Sequence, residues 1–367
     1  MTLSTAFTAR FGIRHPLVQA PMAGGPATPE LVAAVSGAGA LGSWAAALLP
    51  PDEIHAGVER IRALTDRPFA VNLFVQGPPR PRDAQIARAL ERMQPIRAEL
   101  GLPPTPQVTL YAQPFEQQLE ALIEARPAVA SFTFGILKPR QARALSAAGI
   151  RFIGTATTVA EAKAWEEIGA QAVCAQGAEA GAHRGTFLGE FEDSMVGTLA
   201  LVPQVADAVA VPVIAAGGIM DGRAIAAVLA LGASAAQLGT AFLGCPEAGV
   251  AEPWRQALRE AGDQSTVMTR AFSGKPARGI RNAFIERLRK HENGLPAYPV
   301  QNALTLDIRR ASQATGKADY MSLWAGQGVG LLREQPAAAL VAELIAETEA
   351  VVARLATPGG EPAAEQW

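Results

Sequence analysis

The amino-acid sequence predicts an α/β protein of the (β/α)8 TIM-barrel type, with a smaller segment inserted after the eighth strand. Short apolar runs of β type recur eight times, with stretches of helical spacing between them. Most of these runs are nearly continuous rather than alternating, as expected of parallel strands covered by helices. After Cys245 the alternation stops, and the chain is richer in charged and polar residues until about Gly330. An open, doubly wound sheet is the runner-up, because eight short strands could also lie side by side without closing.

The predicted strands are Pro16–Met22, Ala40–Ala45, Phe69–Val75, Val129–Gly135, Arg151–Thr157, Ala172–Gln176, Val211–Gly217 and Ala235–Phe242. The first ends in Gln19-Ala-Pro-Met22-Ala-Gly-Gly25, where Met22 alone reads as core. The third contains Asn72, whose amide needs partners: a polar ligand ring, or a tie between two strands. Two proline-rich loops follow it, Gly77-Pro-Pro-Arg-Pro-Arg82 and Leu102-Pro-Pro-Thr-Pro106. A helix opens at Thr158 with a capping-box pattern to Glu161 and closes at Gly169. Another opens at Asp221-Gly222 and ends at Leu231-Gly232. The insertion contains Arg278, Arg281, Arg287, Arg289 and Lys290, and the last helix runs Ala337–Leu355. The domain reading is therefore a barrel of residues 1–245 and 331–356, a covering segment 246–330 and a flexible tail 357–367.

Composition narrows the function classes. The net charge of −2 gives no bulk attraction to nucleic acid or anionic membrane. Cys174 and Cys245 are too few for a disulfide framework or a zinc cluster, which predicts a reducing compartment. Met1 to Arg14 has no apolar signal region, so the expected location is cytoplasmic. The uncharged stretch Ala224 to Pro246 has the length of a membrane span, but Gly232 and Gly239 divide it into a helix and a short strand.

Barrel active sites lie at the C-terminal strand ends, with phosphate often held after strands seven and eight. Here those ends read Ile214-Ala-Ala-Gly217-Gly218-Ile219 and Gln237-Leu238-Gly239-Thr240. Glycine lets backbone N–H groups approach an anion, and Thr240 adds a hydroxyl. Strand six runs into Gln176-Gly-Ala-Glu-Ala-Gly181-Ala-His183-Arg184-Gly185, which places one of only four histidines on a glycine-rich rim. Alone, His183 reads as a surface residue; between Gly181 and Gly185, after Gln176, it reads as an acid–base or anion-holding group. Arg184 is either solvated or paired with Glu179 or Glu190. No H-E-x-x-H, carboxylate cluster, strand lysine, serine elbow or dinucleotide glycine motif is present, so no metal site is expected. A phosphate site and one histidine without a nucleophile point to a cofactor that supplies the chemistry, with FMN as the natural candidate.

Over nearly its whole length the chain resembles the nitronate monooxygenases, formerly 2-nitropropane dioxygenases, of bacterial class I. The resemblance rests on the motifs above, on Ser273-Gly-Lys-Pro-Ala-Arg-Gly279 and, most specifically, on Tyr320-Met-Ser-Leu-Trp-Ala-Gly-Gln-Gly328. It implies a TIM-type barrel with a substrate-covering domain and non-covalent FMN, without metal. By position, Met22, Asn72, Gln176, Gly181, Gly218 and Gln237, Leu238, Gly239 and Thr240 would contact FMN. Gly217 to Ile219 and Gly239-Thr240 would hold its phosphate. His183 matches the active-site histidine, and Tyr298 and Lys275 are weaker substrate candidates. Ala182 departs from relatives that have glycine there. The implied reaction is oxidative denitrification of an alkyl nitronate, such as propionate 3-nitronate, by O2 through one-electron flavin chemistry. The implied assembly is a monomer or homodimer. An FMN-dependent NAD(P)H reductase of quinones or enoyl thioesters is the alternative, and a non-catalytic phosphate-binding barrel the third reading.

Overall fold

The computed structural model describes residues 3–356. Eight parallel strands form the barrel: β1 (Leu17–Gln19), β2 (Gly42–Ala45), β3 (Phe69–Phe74), β4 (Val129–Thr133), β5 (Arg151–Ala156), β6 (Ala172–Gln176), β8 (Val213–Ala216) and β9 (Ala235–Leu238). Between β6 and β8 lies the two-residue strand β7 (Ala182–His183), which belongs to a different sheet. The barrel order is β1-β9-β8-β6-β5-β4-β3-β2, and a parallel bridge between Val18 and Leu41 brings β2 back to β1. The strands end earlier than the apolar runs predict, because residues such as Met22, Gly217 and Thr240 turn outward as rim loops.

Strand alternation divides the interior in two. Inward-facing Val18, Leu41, Ala70, Val129, Ile153, Ala172, Cys174, Ile214, Ala216 and Ala235 form one cluster with Phe7 and Phe11 of α1 (Ala6–Phe11). The two phenylalanine rings, 4.4 Å apart, lie among the small inward side chains and plug the barrel. Thr5 caps α1 and donates its hydroxyl to the Ser234 carbonyl at 2.7 Å, tying the plug to β9. Outward-facing Leu17, Val71, Leu73, Val173, Val213, Ala236 and Leu238 join the larger core beneath the helices.

Those helices are α2 (Pro29–Gly37), α3 (Pro51–Leu64), α4 (Asp83–Glu99), α5 (Phe115–Ala125), α6 (Pro139–Ala147), α7 (Val159–Glu167), α8 (Thr198–Ala208) and α9 (Gly222–Ala230). Asp221 caps α9 by accepting from the Ala224 N–H, as expected. Thr158 caps α7, but the expected capping box does not close. The Glu161 carboxylate passes the N-cap and instead accepts from Thr157 N at 2.6 Å and from Phe187 N and Leu188 N at 2.5 and 2.8 Å.

After the barrel come α10 (Glu252–Glu260), β10 (Thr266–Thr269), β11 (Ala277–Ile280), α11 (Ala283–Leu288), α12 (Val300–Leu304) and α13 (Leu306–Ala314), then α14 (Ala337–Ala356). The last packs on α9 and α2 and so closes the helical ring. A third hydrophobic core joins Phe272, Phe284, Leu288, Val300, Ile308 and Tyr320 to Ala89, Met93 and Ile96 of α4. β10, β11 and β7 form a three-stranded antiparallel sheet. The cover is thus stitched to the barrel at α4 and at the loop bearing His183. The expected tail from residue 357 lies outside the described residues.

Candidate active site

The C-terminal strand ends and the cover enclose a cavity of about 230 Å³. Met22, Asn72, Gln176, Gly181, His183, Gly217, Gly218, Gln237, Gly239, Thr240 and Tyr298 all line it. Leu238 and Lys275 do not. Strand alternation turns the Leu238 side chain outward into the helix-packed core. Lys275 donates from Nζ to the Thr186 carbonyl at 3.2 Å and stands 4.8 Å from the Phe134 ring centroid.

On the barrel side the wall is backbone and small polar groups. Gly217 and Gly218 have φ of 118° and 72°, a region that side chains resist. The N–H groups of Gly218, Gly239 and Thr240 have no hydrogen-bond partner among the described residues. Thr240 Oγ1 accepts from the Gly326 N–H at 2.9 Å, which leaves its hydroxyl hydrogen for a ligand. This cradle of donors suits a phosphate. Gln237 lines the same side, and no protein group bonds its side-chain amide among the described residues. Asn72 uses its amide nitrogen on Ser131, 3.1 Å from the carbonyl and 3.0 Å from the hydroxyl, so it ties β3 to β4 while lining the cavity.

The loop bearing His183 is fixed from several directions. Gln176 donates to the His183 carbonyl at 3.0 Å and accepts from the Gly185 N–H at 2.8 Å. Arg184 is buried rather than solvated, and it donates to the carbonyls of Gln176 and Ser194 rather than pairing with Glu179 or Glu190. β7 pairs with β11, setting His183 opposite Ala277. A Cβ on Gly181 would come within 2.6 Å of the backbone of Ala325 and Gly326, so only glycine lets that segment cross here. Ala182 is left-handed at φ 60°, so the residue that departs from the family pattern occupies a glycine-type conformation.

The imidazole stands among rings. Phe134 and Trp324 are each 5.4 Å from it and Tyr298 5.8 Å. Phe134 itself is held at φ 78°, a strained backbone for an aromatic residue in a cavity wall. Burial, then the charges of Lys275 and Arg309, pull the His183 pKa down to about 3, so the ring is neutral near pH 7. Ser273 Oγ donates to the Lys275 carbonyl at 3.1 Å and accepts from the Lys275 N–H at 3.3 Å. The 2.8 Å contact between Ser273 Oγ and His183 Nε2 is then a donation from Nε2–H, which puts the lone pair on Nδ1. Burial pushes the Tyr298 phenol well above its ordinary range, so it stays protonated.

Among the lining residues that escape the sequence reading are Phe134, Asn302, Arg309 and Trp324. Trp324 lies inside a quoted motif, but nothing marks its ring as a wall. Both cysteines are buried, and burial pushes each thiol up to about 12, so neither is a ready nucleophile. No group of three or more His, Cys, Asp or Glu among the described residues could hold a metal. No described helix is long and apolar enough to cross a membrane.

The family model described as "Nitronate monooxygenase" matches residues 4–347. The nitronate monooxygenase of Pseudomonas aeruginosa is 44% identical over 349 residues, covering 94% of this chain and 99% of that protein. A structure of nitroalkane oxidase from Streptomyces ansochromogenes superposes with a TM-score of 0.88 at 40% identity, covering 96% of this chain and all of that one. FabK from Thermotoga maritima is similar at a TM-score of 0.75 and 30% identity, covering 96% of this chain and 98% of that one.

Proposed function

The chain belongs to the nitronate monooxygenase family and is an oxidoreductase acting on nitronates, and we propose that its cavity carries out FMN-dependent oxidative denitrification of alkyl nitronates. The products are a carbonyl compound and nitrite, with O2 as co-substrate. One observation carries the reading: unpartnered donors at the ends of β8 and β9 share a cavity with a neutral histidine inside a cationic field.

Gly217, Gly218, Gly239 and Thr240 would hold the FMN phosphate, Asn72, Gln176 and Gln237 would border its ring system, and Met22 and Gly181 would pack against it. When bound, FMN would supply the one-electron redox chemistry between nitronate and O2. The residues do the rest. A nitronate is an anion, and the charges of Arg309 and Lys275 favour its entry. Burial together with the same charges holds His183 neutral, and an arriving anion offsets the charges and favours protonation of the imidazole against the nitronate oxygens. With a neutral nitroalkane, Nδ1 is the lone pair that can take the proton next to the nitro group. Phe134, Tyr298 and Trp324 hold the ring and restrict water. Residues 246–330 serve as the cover, seated on α4 and β7.

The test is an aerobic assay for nitrite release from propionate 3-nitronate, run with a visible spectrum of the purified protein. A flavin spectrum with O2-dependent nitrite supports the reading; a colourless protein that takes up no FMN overturns it. Anaerobic mixing with NADH separates the reductase alternative, which requires fast flavin bleaching.

A further inference from the structure

Arg309, in the first turn of α13, lines the cavity close to Tyr298 and Asn302. A guanidinium has five N–H donors. Three are used on neutral neighbours: Nη2 on the Asn302 carbonyl at 2.8 Å and on Asn302 Oδ1 at 3.0 Å, and Nε on the Thr305 carbonyl at 3.4 Å. The two on Nη1 have no partner among the described residues, and no carboxylate among them forms a salt bridge with Arg309. The nearby acid Asp307 is committed elsewhere. Its carboxylate takes Arg97 in a bidentate pair at 3.1 and 2.7 Å.

The two arginines beside Asp307 therefore differ in kind. Arg97 completes an ion pair between α4 and the cover, whereas Arg309 is held by neutral hydrogen bonds and makes no salt bridge among the described residues. Burial draws its pKa down to about 10, so it remains protonated near pH 7. An uncompensated charge in such a place is unfavourable unless an anion arrives to meet it. His183 and Tyr298 both feel this charge, so the guanidinium and the imidazole serve one space.

We propose that Arg309 binds a carboxylate on the substrate, at a subsite distinct from the nitronate position at His183, and so selects carboxylate-bearing nitronates over simple alkyl ones. The assignment rests on reading this cavity as the substrate site. Arg309 is a specificity-determining residue: it anchors one end of the substrate while the reacting end lies by His183. Its planar donors suit a carboxylate better than a point charge does.

The test uses the full chain with FMN, in wild-type, Arg309→Leu and Arg309→Lys forms, with propionate 3-nitronate and propyl-1-nitronate. Arg309→Leu is expected to raise KM for propionate 3-nitronate on the order of 100-fold, with little change in kcat. KM for propyl-1-nitronate should rise far less, through loss of the general attraction for anions alone, and Arg309→Lys should recover part of the loss. Equal KM rises for both nitronates, or no rise for either, overturn the proposal. Thermal shift with succinate, a redox-inert dicarboxylate, gives a readout free of turnover. Stabilisation of wild type but not of Arg309→Leu supports the carboxylate subsite; equal responses overturn it. If wild type shows that selective stabilisation yet releases no nitrite, the denitrification reading falls while the anion site stands.

Discussion

The two walls of the cavity are built from different materials. The barrel wall is glycine backbone, a threonine hydroxyl and neutral amides, set at strand ends whose positions the parallel sheet dictates. The cover wall is long side chains, Tyr298, Arg309 and Trp324, aromatic or cationic, projecting from the insertion. The contrast teaches a division of labour. In the proposed function, the barrel wall would offer donors to the flavin, which stays, and the cover wall and the imidazole between them would meet the substrate, which comes and goes.

The strongest way to break this division is at His183, where the walls meet. His183→Asn is expected to lower turnover with propionate 3-nitronate by about 100-fold or more while the purified protein keeps its full flavin content. Wild-type turnover at full flavin content would remove the imidazole from the reaction. On the barrel wall, Thr240→Ala deletes the hydroxyl and leaves the Gly326 N–H without its acceptor. FMN affinity should weaken roughly tenfold, measured by fluorescence titration of the apoprotein, with little change in KM for nitronate. A change in KM with flavin affinity intact would reverse the assignment of the walls.

Acid offers a finer distinction. His183 titrates near 3 when folded and near its ordinary value of 6.5 when unfolded, so the unfolded chain binds the extra proton. Its contribution to stability is complete above pH 6.5 and is lost as pH falls towards 3. The His183→Asn protein should therefore lose less melting temperature between pH 7 and pH 4 than wild type does. Parallel melting curves would show that the buried imidazole is not the acid-sensitive element. The smallest expected effect is at Ala182, whose φ of 60° suits glycine. Ala182→Gly should stabilise the fold by about 1 kcal/mol in denaturant unfolding, and a loss of stability would mean that the methyl group packs usefully.

Much of the barrel wall was legible because its chemistry is local. A glycine pair after a strand, or a Gln-Leu-Gly-Thr run, states backbone geometry and donor type within a few residues. The helix caps at Thr158 and Asp221 were readable for the same reason. What fails is what depends on distance. Glu161 fits a capping box in spacing, yet its carboxylate reaches the loop at Phe187 and Leu188, a tertiary contact that spacing does not encode. Lys275 occupies a plausible motif but spends its ammonium on the Thr186 carbonyl and the Phe134 face. Arg309 was one arginine among many in a charged insertion. Its singularity lies in Asp307 having turned to Arg97, and no window of sequence shows that.

The short pairing of β7 with β11 has a consequence for how this enzyme can be altered. His183 is covalently part of the barrel and, by hydrogen bonding, an edge residue of the cover's sheet. A cover exchanged with that of a relative would arrive without the strand its own edge was shaped to receive. Chimeras that transplant residues 262–328 alone should mis-set the imidazole, whereas those that also carry the 176–188 loop should keep it in place. The heritable module is thus discontinuous, and the two stretches are expected to vary together.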